Sequence, residues 1–424
     1  MIKFLIKGLL RDRSRSLFPV LTVTIGVMLT VFAFSYVQGI TSEFIRSTAH
    51  FSSGHLRVMS HAYAQEADQV PNDLALFGID SILIRLNSEF PGLNWTPRIK
   101  FGGLLDVPDE QGETRAQGPV VGMAVNLLSP SSPEWHILNI RESIVEGRIP
   151  EKSGEILIGE DFAEKLKVEI GQTATLITST MYGSMSLTNF IVVGTIHFGV
   201  NAMDRGAMLV DIHDIQKAMD MKDAAGEIMG FFRDDLYHRR MAETITESFN
   251  KEYQGQDDNF RPEMSNLRSQ SGLTEYLDLI GRFSGILIGI FLVVMSIVLW
   301  NAGLMGSLRR YGEIGVRLAL GEEKGHVYRA MLGESVVIGF FGSVLGTAAG
   351  LGLGYYLQIV GIDVGSMMKN STMIMSDVLR AQVTPICFFI GFIPGILATL
   401  VGTAISGIGI YRRQTSQLFK ELEV

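Results

Sequence analysis

Four long apolar runs constrain this chain more than any other feature of its sequence. They lie at about residues 17–37, 283–305, 331–360 and 385–411. A helix needs about 20 apolar residues to cross the core of a bilayer, and it satisfies its own backbone hydrogen bonds there. The runs therefore predict four transmembrane helices. The first run is too long for a signal peptide and no small-residue cleavage site follows it, so we expect it to be retained.

The charges are divided unevenly between the segments that these runs separate. Residues 41–275 contain 20 Lys and Arg against 34 Asp and Glu, a net charge of −14, whereas the whole chain carries −8 and the remainder therefore +6. Such asymmetry indicates two compartments. The single cysteine, Cys387, lies within the fourth run, so the acidic segment is expected to fold on an apolar core without disulfides.

The basic residues predict how the chain is oriented. They cluster before the first run, between the second and third runs, and after the fourth. Segments rich in Lys and Arg stay on the cytoplasmic side of a membrane. We therefore expect both termini and residues 307–329 in the cytoplasm. Residues 41–275 would lie outside, as would the short segment 361–383, whose two basic residues are balanced by two acidic ones.

Residues 1–16 have a helical pattern of their own. Ile2, Leu5, Ile6 and Leu9 fall on one helix face, and the basic residues fall on another. The pattern suits an amphipathic helix in the cytoplasmic interface. It also suits a basic flank that only fixes the topology.

Small residues recur every four positions in three of the predicted helices. This step keeps them on one helix face, where they let two backbones approach closely in lipid. The series are Gly281, Gly285 and Gly289 in the second helix, Gly342, Gly346, Gly350 and Gly354 in the third, and Gly391, Gly395, Thr399 and Thr403 in the fourth. They predict tight packing within the bundle or against a second copy. Pro394 predicts a kink or a loosened backbone in the fourth helix.

Glu334 lies near the inner end of the third predicted helix. An ionised side chain within the membrane is costly, so such a residue is a functional candidate. Only about one turn separates it from the cytoplasmic boundary, which would let it reach the headgroups. Two interpretations stay open, a structural ion pair and a switch between conformations.

The segment between the first two runs predicts a mixed α+β domain. Short β-favouring runs bounded by Gly or polar residues lie at 154–158, 173–177, 190–193 and 206–210. Helical patterns lie at 161–167, at 212–221 with Asp211 or Asp214 as the cap, and at 234–252. A β-rich lobe over 119–221 is expected to be inserted in the rest of the domain. The sequence shows no nucleophile elbow and no metal-binding cluster, and we expect His55, His61, His136 and His197 to be structural.

Together these patterns predict nine segments. They are an amphipathic helix (1–16), transmembrane helix 1 (17–40), the external domain (41–275), transmembrane helix 2 (276–306), a cytoplasmic segment (307–329), transmembrane helix 3 (330–360), a short external loop (361–383), transmembrane helix 4 (384–411) and a cytoplasmic tail (412–424). The expected fold is a four-helix membrane protein with a large α+β domain between helices 1 and 2.

Residues 309–321, with the sequence RRYGEIGVRLALG, form a charged and glycine-rich stretch between two apolar runs. We expect a short amphipathic helix that buries Ile314 and Leu318 in a cleft of a partner protein. Glu313 and Arg317, four residues apart, would pair with each other or dock with the partner's charges. Glycines 312, 315 and 321 would allow a close approach and a sharp exit. The chain lacks the G-x-x-x-x-G-K-[ST] phosphate loop, so we expect ATP to be hydrolysed by a separate subunit.

The order of one span, a large external domain and three further spans resembles the FtsX-like permease superfamily of ABC transporters. The similarity is greatest to the MacB-like and lipoprotein-releasing (LolC/LolE-like) branch. Residues 313–321, followed by Glu334 and a series of glycines, are similar to the family's loop and third helix. Residues 146–159 look like its periplasmic core, and residues 52–58 look like the lipoprotein-releasing branch.

The resemblance implies a coupling helix that docks on a separate, dimeric ABC ATPase. It assigns this role to Gly312, Glu313, Ile314, Gly315, Arg317, Leu318 and Gly321. It also implies a bacterial inner-membrane protein that works with a second permease copy or a paralogue, binds no cofactor itself and leaves ATP to its partner. Glu322 and Glu323 depart from the family's usual residues after the last glycine, which would fit a specialised ATPase.

Three classes of function follow from these features. The first is transport, either release of lipoproteins or efflux of a drug, peptide or toxin. In that class Phe32, Tyr36 and Phe283 are candidate contacts for a hydrophobic cargo, although membrane lipid would select similar residues. The second is signalling to an external regulator or hydrolase. The third, an external enzyme, has no supporting motif, and no basic patch interleaved with aromatic residues indicates nucleic acid.

Overall fold

The computed structural model describes residues 13–269, 273–308, 311–365 and 376–412. Its contacts divide the chain into two compact units. The helical unit comprises Met1–Ser42, Leu279–Ile362 and Leu379–Val424, and the sheet unit comprises Glu43–Asp278 and Asp363–Val378. The chain therefore passes four times from one unit to the other.

The helices follow the apolar runs and the helical patterns of the sequence. They are α1 (Arg13–Thr48), α2 (His61–Gln65), α3 (Ile79–Glu89), α4 (Glu134–Ile137), α5 (Glu160–Leu166), α6 (Asn201–Asp204), α7 (Ile212–Ala218), α8 (Arg239–Glu252), α9 (Leu273–Leu308), α10 (Tyr311–Ala319), α11 (Lys324–Val360), α12 (Cys387–Ile390) and α13 (Thr399–Arg412). Four helical stretches are long and apolar enough to cross a membrane, Leu17–Ser53, Asp278–Met305, Lys324–Val360 and Cys387–Ile408. The predicted fold class, four such helices with a large α+β domain, is confirmed.

The strands belong almost entirely to the sheet unit. They are β1 (Leu56–Ser60), β2 (Leu76–Phe77), β3 (Leu93–Pro108), β4 (Thr114–Val125), β5 (Ile144–Gly147), β6 (Glu155–Gly159), β7 (Thr173–Ser179), β8 (Met185–Ile196), β9 (Ala207–Asp211), β10 (Ala224–Ala225), β11 (Glu227–Phe232), β12 (Pro262–Asn266), β13 (Ile362–Asp363) and β14 (Val378–Leu379). The four predicted β runs overlap β6, β7, β8 and β9.

One ten-stranded sheet organises this unit, in the order β12-β1-β11-β3-β4-β9-β6-β8-β5, with β7 paired to β3 and β8. The long strand β3 pairs with β11 through its first residues and with β4 through the rest. Alternate residues of β9 enter different apolar clusters, Met208 and Val210 in one and Ala207 and Leu209 in the other. Because successive side chains of a strand point to opposite faces, the sheet is buried on both faces here.

Two boundaries within the sheet unit differ from the sequence prediction, and one open choice is resolved. Residue 119, the predicted start of an inserted lobe, falls inside the continuous strand β4. The helix predicted from residue 234 begins at Arg239, because Asp235 has a φ of +56° and belongs to a turn after β11. Of the two caps considered for α7, Asp211 is the one used, and its side chain accepts a hydrogen bond from the backbone N–H of His213.

In the helical unit, small residues let α1, α11 and the fourth helical stretch approach closely. A Cβ atom on Gly346 would lie 2.5 Å from the carbonyl oxygen of Thr24, and one on Gly391 would lie 2.5 Å from a methyl group of Val27. These two glycine series therefore pack within the bundle, as predicted. The series on α9 differs, since a Cβ on Gly281, Gly285 or Gly289 would meet no atom within 4 Å.

The fourth apolar stretch is not a uniform α-helix. It starts as α12, forms a π-helical segment over Ile393–Ala398, and continues as α13. Pro394 lies in this segment, and its ring nitrogen cannot donate the hydrogen bond of a regular helix. The predicted loosening of the backbone at Pro394 is confirmed. Of the predicted terminal segments, residues 1–12 and 413–424 lie outside the described residues.

Candidate coupling segment and chain anchors

The predicted coupling residues form helix α10 and the turn that follows it. Ile314 and Gly315 are buried, Gly312 and Leu318 are half-buried, and Glu313 and Arg317 are exposed. Gly321 has a φ of +93°, a left-handed conformation that glycine adopts without steric cost. The backbone N–H of Gly321 donates to the carbonyl of Leu318 and closes the helix. The sharp exit that we expected at Gly321 is therefore present.

The apolar side of this helix is used differently from the prediction. Ile314 is buried against Val327 and Met331 of α11, and Leu318 packs on the same cluster. These side chains fix α10 to the start of α11 in the same chain, and the buried Ile314 therefore does not enter a partner's cleft. Amphipathicity showed that one face is buried, but the pattern does not distinguish burial within a chain from burial in a partner.

The opposite side of α10 is available to a partner. Val316 is 45% exposed and Leu320 is 83% exposed. Together with Glu313 and Arg317 they follow the three- and four-residue steps of one helix face. We call Glu313, Val316, Arg317 and Leu320 the docking face. It combines apolar contact with one charge of each sign.

The remaining predicted residues lie in the spans. Glu334 is half-buried within α11. Phe32 and Tyr36 are half-buried on α1 with their rings stacked at 6.1 Å, and Phe283 on α9 is 67% exposed. A separate apolar cavity of about 50 Å³ lies between α1 and α9. A ligand pocket is usually about 300 Å³ or more, so this gap is too small to hold a large cargo.

The sheet unit holds the end of α1 in a way that we had not predicted. Beyond Thr48 the helix continues as a π-helical turn, Ala49–Ser53. The Arg98 guanidinium donates to the carbonyl of His50, and the Lys100 ammonium donates to the carbonyl of Ser52. The last carbonyls of a helix lack donors from the helix itself, and cations stabilise this end of its dipole. We call this arrangement the first anchor.

Both cations of the first anchor are paired with buried carboxylates. Arg98 and Glu134 are fully buried and form two hydrogen bonds of 2.7 Å. Lys100 lies 2.9 Å from Glu227, which also pairs with Arg57. Burial raises the pKa of Glu227, but the two cations outweigh it, so its pKa lies below the usual range. Glu227 is therefore ionised at neutral pH and keeps Lys100 and Arg57 in place.

Two further anchors lie where the chain leaves the sheet unit. At the second, Arg268 forms an ion pair with Asp278. At the third, the backbone N–H of Asp377 donates to the carbonyl of Gly199, and the Asn201 side chain donates to Asp377 Oδ1 over 2.7 Å. Every one of these contacts lies within the sheet unit. The chain passes between the two units at four points, which we call chain crossings. At three of them, polar contacts fix the chain on the side of the sheet unit.

Comparison with known families decides the classification. The protein-family model described as MacB-like periplasmic core domain matches residues 16–235, which is more than half of the chain. The model described as FtsX-like permease C-terminal matches residues 285–415. This chain belongs to the FtsX-like permeases with a MacB-like periplasmic core.

Individual relatives of this FtsX-like permease are distant. The lipoprotein-releasing system transmembrane protein LolC of Xylella fastidiosa is 26% identical over 265 residues, 61% of each chain. The macrolide export ATP-binding/permease protein MacB of Psychrobacter arcticus is 30% identical over 105 residues, 25% of this chain and 16% of that protein. This chain thus spans about three fifths of the LolC relative. Among solved structures, the periplasmic region of MacB from Actinobacillus actinomycetemcomitans is similar with a TM-score of 0.36 and 11% identity, over 52% of this chain and 91% of that one.

The sequence of this permease contained one indication of the first anchor. Arg98 and Lys100 interrupt a β-favouring run, at alternate positions that share one face of a strand. Two cations on a strand with apolar neighbours suggest a buried ionic site. Their partners Glu134 and Glu227 lie 36 and 127 residues away from Arg98 and Lys100, and no local pattern connects them.

Proposed function

We propose that this chain is the permease subunit of an ABC transporter, which couples a separate ATPase to movement of the sheet unit and releases lipoproteins from the membrane. The docking face of α10 carries the proposal. It lies between two membrane-spanning helices and exposes apolar side chains beside opposite charges. A nucleotide-binding subunit, expected to be a dimer, would bind there, while the permease itself would bind no cofactor.

The packing of α10 suggests how motion would pass from the ATPase into the spans. Because Ile314 is buried against Val327 and Met331, a push on α10 would be transmitted to the start of α11. The chain passes between the spans and the sheet unit at four points, three of which have anchors. Displacement of the spans would therefore move the sheet unit as a lever.

The proposed orientation follows from the basic clusters. Both termini and α10 would be cytoplasmic, and the sheet unit would lie in the periplasm of a bacterium with the spans in the inner membrane. Reporter fusions at Ser153 and Gly321, both exposed, would test it. Cytoplasmic activity at Ser153 would overturn the orientation.

A second permease, either another copy or a paralogue, would complete the transporter. Four spans enclose little space, and the glycine series on α9 meets no neighbouring atom within the described part of the chain. That face would allow a close approach by another helix.

The docking face can be tested by one substitution and a matched control. Leu320→Glu places a charge at an 83% exposed apolar position and should abolish both co-purification and ATPase stimulation. Ile84→Glu makes the same change at a 71% exposed position of α3 and should leave both unchanged. If Leu320→Glu retains normal ATPase stimulation, α10 is not the coupling helix.

The LolC relative, which is matched over more than half of this chain, favours lipoprotein as the cargo. We propose Phe32, Tyr36 and Phe283 as its contacts, alongside membrane lipid. A photo-crosslinking residue at Phe283 should capture acylated protein in cells. The same residue at Tyr355, a 59% exposed aromatic position near the end of α11, should not. Adducts with only a soluble hydrolase would instead indicate signalling and overturn transport.

Efflux of a drug, peptide or toxin is the second candidate. It is favoured by the 30% identity to a protein named for macrolide export, over 105 residues. A crosslinked small molecule or peptide at Phe283, without any acylated protein, would decide for efflux.

A further inference from the structure

The third anchor contains a group of side chains that could bind a metal ion, in addition to its hydrogen bonds. His197, Asp204 and Asp377 form the one group, within the described residues, whose side chains could together bind a metal ion. Their ligand atoms lie within 4.8 Å of one another. His197 Nδ1 is 3.4 Å from Asp204 Oδ2, and His197 Nε2 is 3.7 Å from Asp377 Oδ2. No local sequence pattern indicated this group, because 173 residues separate Asp204 from Asp377.

One atom of this group is buried without a hydrogen-bond partner. Asp204 is only 2% exposed, and its Oδ1 accepts a hydrogen bond from the backbone N–H of Phe198. Its Oδ2, directed toward His197, has no hydrogen-bond partner. A buried polar atom without a partner is costly and rare in folded proteins. A cation at this point would satisfy it.

The geometry points to a divalent metal site formed by His197, Asp204 and Asp377, and we propose that its ion is Zn²⁺. Zinc binds imidazole nitrogen and carboxylate oxygen at about 2.0–2.2 Å in a tetrahedron, which places two ligand atoms roughly 3.4 Å apart. The observed 3.4 Å between His197 and Asp204 matches this spacing. Calcium prefers six to eight oxygen ligands and magnesium an octahedron of oxygens, so an imidazole with two carboxylates suits them less well.

The fourth position of the tetrahedron has two possible occupants. Water is one. The other is Glu160, which is 47% exposed and has its Oε2 3.5 Å from His197 Nδ1.

The proposed ion would have a role separate from coupling to the ATPase, because it would stiffen the chain at the third anchor. Asp377 belongs to the short segment that precedes the fourth span, whereas His197 precedes α6 of the sheet unit and Asp204 is the last residue of that helix. A metal bridge would add coordination bonds to the Asn201–Asp377 hydrogen bond. The third anchor would then resist pulling more strongly when the ion is bound.

Metal analysis of the full-length chain tests the proposal. The chain is purified in detergent with a tag that contains no histidine, stripped with a chelator and titrated with Zn²⁺ against a zinc indicator. We expect one zinc per chain and a higher melting temperature when zinc is bound. His197→Ala, at a 49% exposed side chain, should weaken binding by at least about tenfold. Asp377→Asn, which keeps the oxygen that Asn201 contacts, should do the same.

His238→Ala is the matched control. Its Nε2 lies 2.6 Å from Asp234 in an exposed pair of the same unit, outside the proposed site. It should bind zinc as tightly as the unmodified chain. The proposal is overturned if the unmodified chain binds no zinc at saturation, if His197→Ala binds it undiminished, or if His238→Ala loses as much affinity. Binding of calcium or magnesium but not zinc at these residues would overturn the assignment of the ion.

Discussion

The two units of this permease are stabilised by different interactions. Among the described residues, every buried Arg, Asp and Glu belongs to the sheet unit, while the buried polar residues of the helical unit are Ser and Thr. In the helical unit hydroxyl groups bond to their own helix, as Thr30 does to the carbonyl of Gly26 and Thr399 to that of Gly395. In the sheet unit ionised side chains bond across long distances in sequence.

The solvent of each unit explains the difference. A charge within the bilayer core is costly to bury, so the spans use small residues and close backbone contact. The sheet unit folds in water and can bury charges where each has a partner. Some of its buried charges also hold the end of α1. The rigid ionic contacts thus lie on the sheet side of the chain crossings, and the closely packed glycines lie among the spans.

Removing one partner of the buried ion pair should have the largest effect. Glu134→Ala leaves the Arg98 guanidinium buried without its carboxylate, which typically costs about 3–5 kcal/mol. We expect the free energy of unfolding of the sheet unit to fall by about that amount. Urea unfolding in detergent, followed by tryptophan fluorescence, measures it, because Trp95 and Trp135 lie in this unit.

The control for this substitution is Glu243→Ala. Glu243 pairs with Arg239 at the surface, where both side chains are well exposed. Loss of such an exposed pair typically costs less than about 1 kcal/mol. Equal destabilisation by the two substitutions would contradict the view that buried charge pairs stabilise the sheet unit.

The sequence predicted the helical unit better than the sheet unit for a related reason. Apolar length and four-residue glycine steps are local patterns, and they predicted the spans, the packing of Gly346 and the loosened backbone at Pro394. The ionic contacts join residues far apart in sequence, such as Arg98 with Glu134, so no local pattern reports them. The same limit applies to α10, where periodicity identified the buried face but could not show that α11 covers it.

A pair of glycine substitutions would test the helical side of the comparison. Gly346→Ala places a Cβ 2.5 Å from the Thr24 carbonyl oxygen, so α1 and α11 must separate. Overpacking of this kind costs about 1–3 kcal/mol. We expect a lower melting temperature in detergent.

The matched substitution is Gly285→Ala, whose Cβ meets no atom within 4 Å. Since alanine favours a helix over glycine by about 1 kcal/mol, this variant should be neutral or slightly more stable. If both variants lost stability equally in the isolated chain, contact between α1 and α11 would not explain the role of Gly346.

The smallest expected effect is a change in pH dependence, and it tests whether the charges of the sheet unit act individually. The bidentate hydrogen bonds from Arg148 lower the pKa of Glu155 to about 2 despite its burial, helped by the backbone N–H of Glu151. A carboxyl group with a lowered pKa in the folded state stabilises the fold above its unfolded pKa of about 4.5. That contribution is lost as the pH falls toward 2.

Glu155→Gln removes this titration, so the unmodified chain should lose more stability than the variant between pH 4.5 and 2. At neutral pH the variant should be the less stable of the two, and the two curves should converge at low pH. Melting temperatures recorded across this range measure the difference. Because Arg148 is 44% exposed, solvent screens the pair and the effect should be smaller than that of Glu134→Ala. Parallel curves would mean that Glu155 has an ordinary pKa in the folded chain. Single charge pairs would then stabilise the sheet unit only where both partners are fully buried, as in Arg98–Glu134.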